Sequence, residues 1–173
     1  MKQRGFTVVE LIITVTIMGI LLVLTVVNVS SSQMRARDDE RATDVQSIAL
    51  NLESYFSAQQ ADNFMSGGTY VGANYLTDST FVGGVLPDVD PKVLRAPGID
   101  LSDPQSFIKA TNNTQTKTGV LPQPTKDTYV YQPLTAAGAL CADPFTDGAC
   151  RKFNIFYFLE NGSKVEMITS KNQ

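Results

Sequence analysis

Few side chains in this protein are placed to do chemistry, and Glu10 is the first of them. It is the only charged residue between Phe6 and Met34. A carboxylate at the centre of a membrane helix costs roughly 2.5–3.5 kcal/mol on insertion scales. A plain anchor would not place a charge there, so a partner for Glu10 is expected. Cys141 and Cys150 come next, as the only two cysteines, bracketing Ala142-Asp143-Pro144-Phe145-Thr146-Asp147-Gly148-Ala149. Asp143, Thr146, Asp147 and Asn154 add oxygen ligands nearby, but their spacing fits no EF-hand calcium loop. Two cysteines alone also fall short of the ligand set of structural zinc. There is no histidine, which removes His-based triads and His metal sites. No Gly-x-x-x-x-Gly-Lys-Ser/Thr phosphate loop occurs. The chain therefore offers no catalytic constellation, metal site or cofactor site, and a non-enzymatic role is expected.

The element that must position Glu10 is the N-terminal segment. Residues 11–27 carry no charge and make about 26 Å of helix. Extended over 6–29 the helix reaches about 36 Å, enough for a hydrocarbon core of about 30 Å. Lys2 and Arg4 hold its start in the cytoplasm by the positive-inside rule. A secretory signal is cut after its apolar core, at small residues; here the basic pair abuts Gly5 on the other side. A cut at Gly5 would leave the apolar helix on the mature chain.

Gly5-Phe6-Thr7-Val8-Val9-Glu10-Leu11, following Lys2 and Arg4, resembles the processing and methylation motif of type IV prepilins. The resemblance covers about 2–29. It implies cleavage by a prepilin peptidase between Gly5 and Phe6, N-methylation of Phe6, and polymerisation into a helical filament through the N-terminal helix. It gives Glu10 the role of an assembly charge, paired with the Phe6 amine of a neighbouring subunit. The alternative reading has Glu10 snorkelling to the cytoplasmic interface. In the apolar core of a fibre the charge pair adds little net stability. Leaving it unmade costs several kcal/mol, and that asymmetry sets register. Gly19 is read either as a close-packing position or as a soft point that unwinds on assembly. Many relatives pair that glycine with a proline eight residues on, where this chain has Val27. Thr14, Thr16 and Thr25 can bond back to helix carbonyls.

The fold class expected is α+β. A long helix from about Phe6 to about Gln60, roughly 80 Å, packs its second half on a C-terminal antiparallel sheet, as in the type IV pilin fold. Ala42, Val45, Ile48, Ala49, Leu52, Tyr55 and Phe56 recur at helical spacing and mark the core face. The charges at 35–44, including Arg37, Asp38 and Arg41, are read as a solvated face. Gly67-Gly68 is the expected stop. Asp90-Pro91 and Asp103-Pro104 predict short helices near 91–95 and 104–110. Tyr129–Gln132, 152–160 and 164–168 read as strands, with Asn161-Gly162 as a hairpin turn between the last two. The aromatics of 153–158 are read as core and sheet faces.

The organisation is a leader at 1–5, a transmembrane and polymerisation helix at 6–29, and an amphipathic helix half at 30–66. A loop-rich region at 67–128 and a sheet region at 129–173 follow. The chain of 173 residues has a net charge of −3, falling to about −5 once Lys2 and Arg4 leave with the leader. That balance gives no nucleic-acid signal. The extracytoplasmic side permits a disulfide. Closing Cys141 to Cys150 would stabilise by roughly 2.5–3 kcal/mol in the chain-entropy model; two free thiols are the alternative. The resemblance favours the disulfide, since type IV pilins often carry such a loop. It also implies a single-pass precursor in the cytoplasmic membrane and an extracellular filament after assembly, with an assembly ATPase and a platform protein as partners. Adhesion, twitching motility and DNA uptake are the tasks of that family. A pseudopilin of a type II secretion system is the nearest rival, and a membrane-anchored binding domain the rival of another class. Asn112-Asn113-Thr114 and Asn161-Gly162-Ser163 match the N-glycosylation pattern.

Overall fold

The computed structural model describes residues 7–58, 68–78, 82–84, 86–100 and 102–172. Helix α1 runs Val8–Ser57, 50 residues, or about 75 Å. Its Thr7 hydroxyl caps the Glu10 N–H, and Ala58 closes it by donating to the Ser54 carbonyl. The helix thus ends at Ser57, a few residues before the expected Gln60; Gln60 and Gly67 lie outside the described residues, while Gly68 of the expected Gly67-Gly68 stop is left-handed (φ 82°). Two environments divide the helix. From Val8 to Val26 its large apolar side chains stand half or more exposed, whereas Val45, Ile48 and Leu52 are fully buried. The whole expected stripe from Ala42 to Phe56 joins one core, because 3.6-residue periodicity brings those positions onto one face.

After α1 come α2, Ala73–Leu76, and a 3₁₀ turn, Pro91–Leu94, where the Asp90 side chain accepts from Lys92 N–H. That is the helix start read from Asp90-Pro91. The sheet consists of β1, Phe107–Lys109, β2, Tyr129–Thr135, β3, Cys150–Leu159, and β4, Lys164–Thr169, in the order β1-β2-β3-β4.

The fold departs from expectation at β1 in two ways. The helix expected at 104–110 is replaced by β1. Ser106 N–H donates to the Leu94 carbonyl and Phe107 is buried in the inner core, so tertiary pairing overrides the Asp103-Pro104 signal. The sheet is also mixed: β2, β3 and β4 are antiparallel, but β1 pairs with β2 in parallel. A parallel neighbour needs a crossover of a dozen or more residues, and the 110–128 segment supplies it.

Asn161-Gly162 does join β3 to β4. Leu159 pairs with Lys164, and the left-handed positions fall on Gly162 (φ 90°) and Ser163 (φ 47°), one residue later than a two-residue Asn-Gly turn would place them. Alternation sorts the strands. Phe153, Ile155, Tyr129 and Tyr131 face α1, while Val130 and Phe156 face outward under Val120 and Met167. The 110–123 crossing is held to that outer face by a buried amide pair. Asn154 donates to Gln132 Oε1 at 2.9 Å, and Gln132 donates to the carbonyls of Asn112 and Thr114 at 2.8 and 3.1 Å.

Candidate assembly site

Gly5 and Phe6 lie outside the described residues. The described site begins at Thr7, which was not singled out in the sequence. Its hydroxyl accepts from Glu10 N–H at 3.3 Å and donates to Glu10 Oε2 at 3.4 Å. Thr7 is thus the N-cap of α1, with the Thr-x-x-Glu spacing of a capping box but with the Glu10 carboxylate on the Thr7 hydroxyl, and that spacing is the sequence signal for it. Glu10 has a second, local reason to be present: it lies in the positive first turn of the helix.

The polar residues above it satisfy themselves. Thr14, Thr16, Thr25, Asn28 and Ser30 donate to the carbonyls of Leu11, Ile12, Leu21, Leu24 and Val26, respectively. These five side chains are each bonded within α1, whereas Glu10 bonds to the Thr7 hydroxyl and is the one charge of this half. The helix passes through Gly19 unbroken. A Cβ built there meets nothing within 4 Å, and the missing side chain leaves a shallow groove flanked by Thr16, Ile20 and Val23. Both readings of Gly19, close packing and unwinding, concern the assembled state.

The globular part meets the helix at a charged joint, which corrects the solvated reading for Arg37, Asp38 and Arg41, while Arg35 and Asp39 are exposed as expected. Arg41 is 1% exposed and Asp38 8%. Arg41 donates to Asp38 Oδ1 at 2.9 Å, to Glu160 Oε1 at 2.6 Å and to the Lys126 carbonyl at 3.0 Å. Arg37 forms a two-pronged pair with Glu160 at 2.9 and 2.6 Å. Asp38 accepts the N–H groups of Glu160 and Asn161, both at 2.8 Å. Two cations and two anions balance, and the β3–β4 turn is fastened to α1. The hydrogen bonds from Arg37 and Arg41 hold the Glu160 carboxyl down at about 2.

Beside this joint, Lys92 reaches Glu40 at 3.1 Å. Burial, with the Glu40 charge next, pushes Asp44 up to about 6.

Cys141 and Cys150 are joined in a disulfide, with Cα atoms 5.6 Å apart. The loop between them is organised from within. Asp147 accepts the N–H groups of Ala142 and Asp143 at 2.8 and 2.9 Å, and the N–H groups of Asp143 and Ala142 hold its carboxyl below the usual range. Asp143 accepts from Phe145 N–H. Asn154, weighed above with these oxygens, is turned to Gln132 instead. The loop also receives the 69–76 segment: Ala73 and Asn74 N–H groups donate to the Cys141 and Ala142 carbonyls. Gly72 fits only as glycine, since a Cβ would meet Ala142 O at 2.6 Å and Pro144 Cδ at 2.7 Å.

The model of the prokaryotic N-terminal methylation motif matches residues 1–26, the segment that ends in the exposed apolar half of α1. This chain carries the type IV prepilin leader motif. The motif marks a pilin- or pseudopilin-like precursor, handled by a prepilin peptidase, and its apolar helix fits a membrane-anchored precursor. No curated protein and no solved structure matches the chain. Behind the leader, the long helix and four-stranded sheet fit the pilin layout.

Proposed function

We propose that the chain is a structural subunit of a type IV pilus. The peptidase cuts between Gly5 and Phe6, and the new Phe6 amine is methylated. The mature chain waits in the cytoplasmic membrane and then enters a helical filament built by an assembly ATPase and a platform protein. Residues 6–29 form the fibre core, 30–66 carry the domain, and 67–128 with 129–173 make its surface. The observation that carries this reading is the combination of the leader motif with an uncovered apolar helix half whose single charge is Glu10. Unpaired Glu10 is costly in a fibre core, so each subunit stops where its carboxylate meets a neighbour's Phe6 amine. Gly19 supports close packing of neighbouring helices.

The test is N-terminal sequencing and intact mass of material sheared from the cell surface. A chain starting at N-methylated Phe6 in abundant fibres supports the proposal. Fibres absent, with a secretion defect in the deletion strain, point to a type II secretion pseudopilin. A chain still beginning at Met1 and confined to membranes leaves only an anchored domain. Glu10→Val is expected to be processed and membrane-bound yet missing from fibres; normal piliation by that variant removes the register argument.

A further inference from the structure

The β3–β4 turn carries a second kind of chemistry, independent of assembly. Asn161 is the one asparagine of the chain followed by glycine. It is exposed, and among the described asparagines it is the one whose carboxamide makes no hydrogen bond. Asn112 donates to the Gly119 carbonyl at 2.8 Å and accepts from Leu121 N–H at 2.9 Å, and Asn154 is buried against Gln132. Among the described residues the Gly162 N–H likewise meets no acceptor: the turn's own bond is from Ser163 N–H to the Glu160 carbonyl. Gly162 has no Cβ to shield its nitrogen. A free carboxamide, a free backbone nitrogen next in sequence and access to water are what intramolecular amide attack requires.

We propose that Asn161 is a self-modification site that loosens the joint between α1 and the sheet. The Gly162 nitrogen gives its proton to solvent base and bonds to Asn161 Cγ. The Cγ–Nδ2 bond breaks and ammonia leaves, closing a five-membered succinimide. Water adds to either ring carbonyl and opens it, giving aspartate, or isoaspartate with one more methylene in the main chain. No oxidant or enzyme is needed. Either product sits on the residue whose N–H is held by Asp38 Oδ2 at 2.8 Å. The joint is balanced, with Arg37 and Arg41 against Asp38 and Glu160. A third carboxylate makes it net negative beside Asp38, and the isoaspartate backbone shifts the turn that Asp38 fastens.

The experiment ages the purified full-length chain in detergent at mildly alkaline pH and maps the tryptic peptide 153–164, which contains both Asn154 and Asn161. The expected result is a gain of one mass unit at Asn161, with isoaspartate detected by enzymatic methyl transfer, and none at Asn154. Asn161→Gln abolishes the gain. Asn161→Asp is expected to melt about 2–4 °C below Asn161→Gln. The modification is refuted if Asn161 stays intact in the folded chain while the urea-unfolded chain converts, or if the residue is isolated bearing a glycan. The loosening is refuted if the two variants melt together.

Discussion

Asp38→Ala is the substitution that tests the charged joint most directly. It removes three hydrogen bonds at once: the acceptors of Glu160 N–H, Asn161 N–H and one Arg41 N–H. Hydrogen bonds to a charged group contribute about 1.5–3 kcal/mol each. The two backbone donors lie on a turn that water can reach, so the lower bound applies to them. Arg41, 1% exposed, keeps Glu160 and the Lys126 carbonyl. The expected loss is about 3–5 kcal/mol, the range for breaking a buried pair. It is read by urea unfolding of the full chain in detergent, followed through tyrosine near-ultraviolet dichroism. Asp39→Ala, at the exposed neighbouring position, is the control and is expected within about 0.5 kcal/mol of the parent. Adding Arg41→Met to Asp38→Ala is expected to recover part of the loss, because an apolar side chain of similar length leaves no buried charge unpaired. A loss under about 1 kcal/mol for Asp38→Ala would refute the reasoning and return this segment to the status of a solvated face.

Asp44 titrates in the opposite sense to Glu160. Its folded value is raised to about 6 by burial, so its contribution is most favourable below the unfolded value of 3.8 and is lost as pH rises through about 6. Asp44→Asn is therefore expected to stabilise by about 1 kcal/mol at neutral pH, after allowance for screening, and by nothing in acid; equal midpoints across that range would contradict it. Glu160, held at about 2, contributes above the unfolded value of 4.5 and loses its contribution as pH falls toward 2, so Glu160→Gln is expected to flatten the acid limb of the stability curve. Gly72→Ala forces a Cβ to 2.6 Å from Ala142 O and is expected to cost about 1–3 kcal/mol; a full-stability variant would show that the disulfide loop yields freely. Replacing Cys141 and Cys150 together by serine is expected to cost about 2.5–3 kcal/mol and to raise hydrogen exchange at Tyr70, whose N–H donates to the Cys150 carbonyl; unchanged exchange there would mean that the segment is held without the bridge.

What the sequence by itself determined lies in signals carried between near neighbours. The leader and Glu10, the apolar run, the stripe from Ala42 to Phe56, the Asp90 cap and the Asn161-Gly162 turn all rest on side chains within a few residues of one another, where backbone geometry converts spacing into a face or a bend. What only the tertiary structure decided is how distant segments meet. Asp103-Pro104 reads locally as a helix start, yet Phe107 is drawn into the inner core and its strand joins Tyr129 in parallel. Arg37, Asp38 and Arg41 read locally as solvated because their partner, Glu160, is more than a hundred residues away. A charge becomes a buried joint only when another element closes over it, and the landing place of the β3–β4 turn on α1 is a property of the packed chain, not of either segment alone.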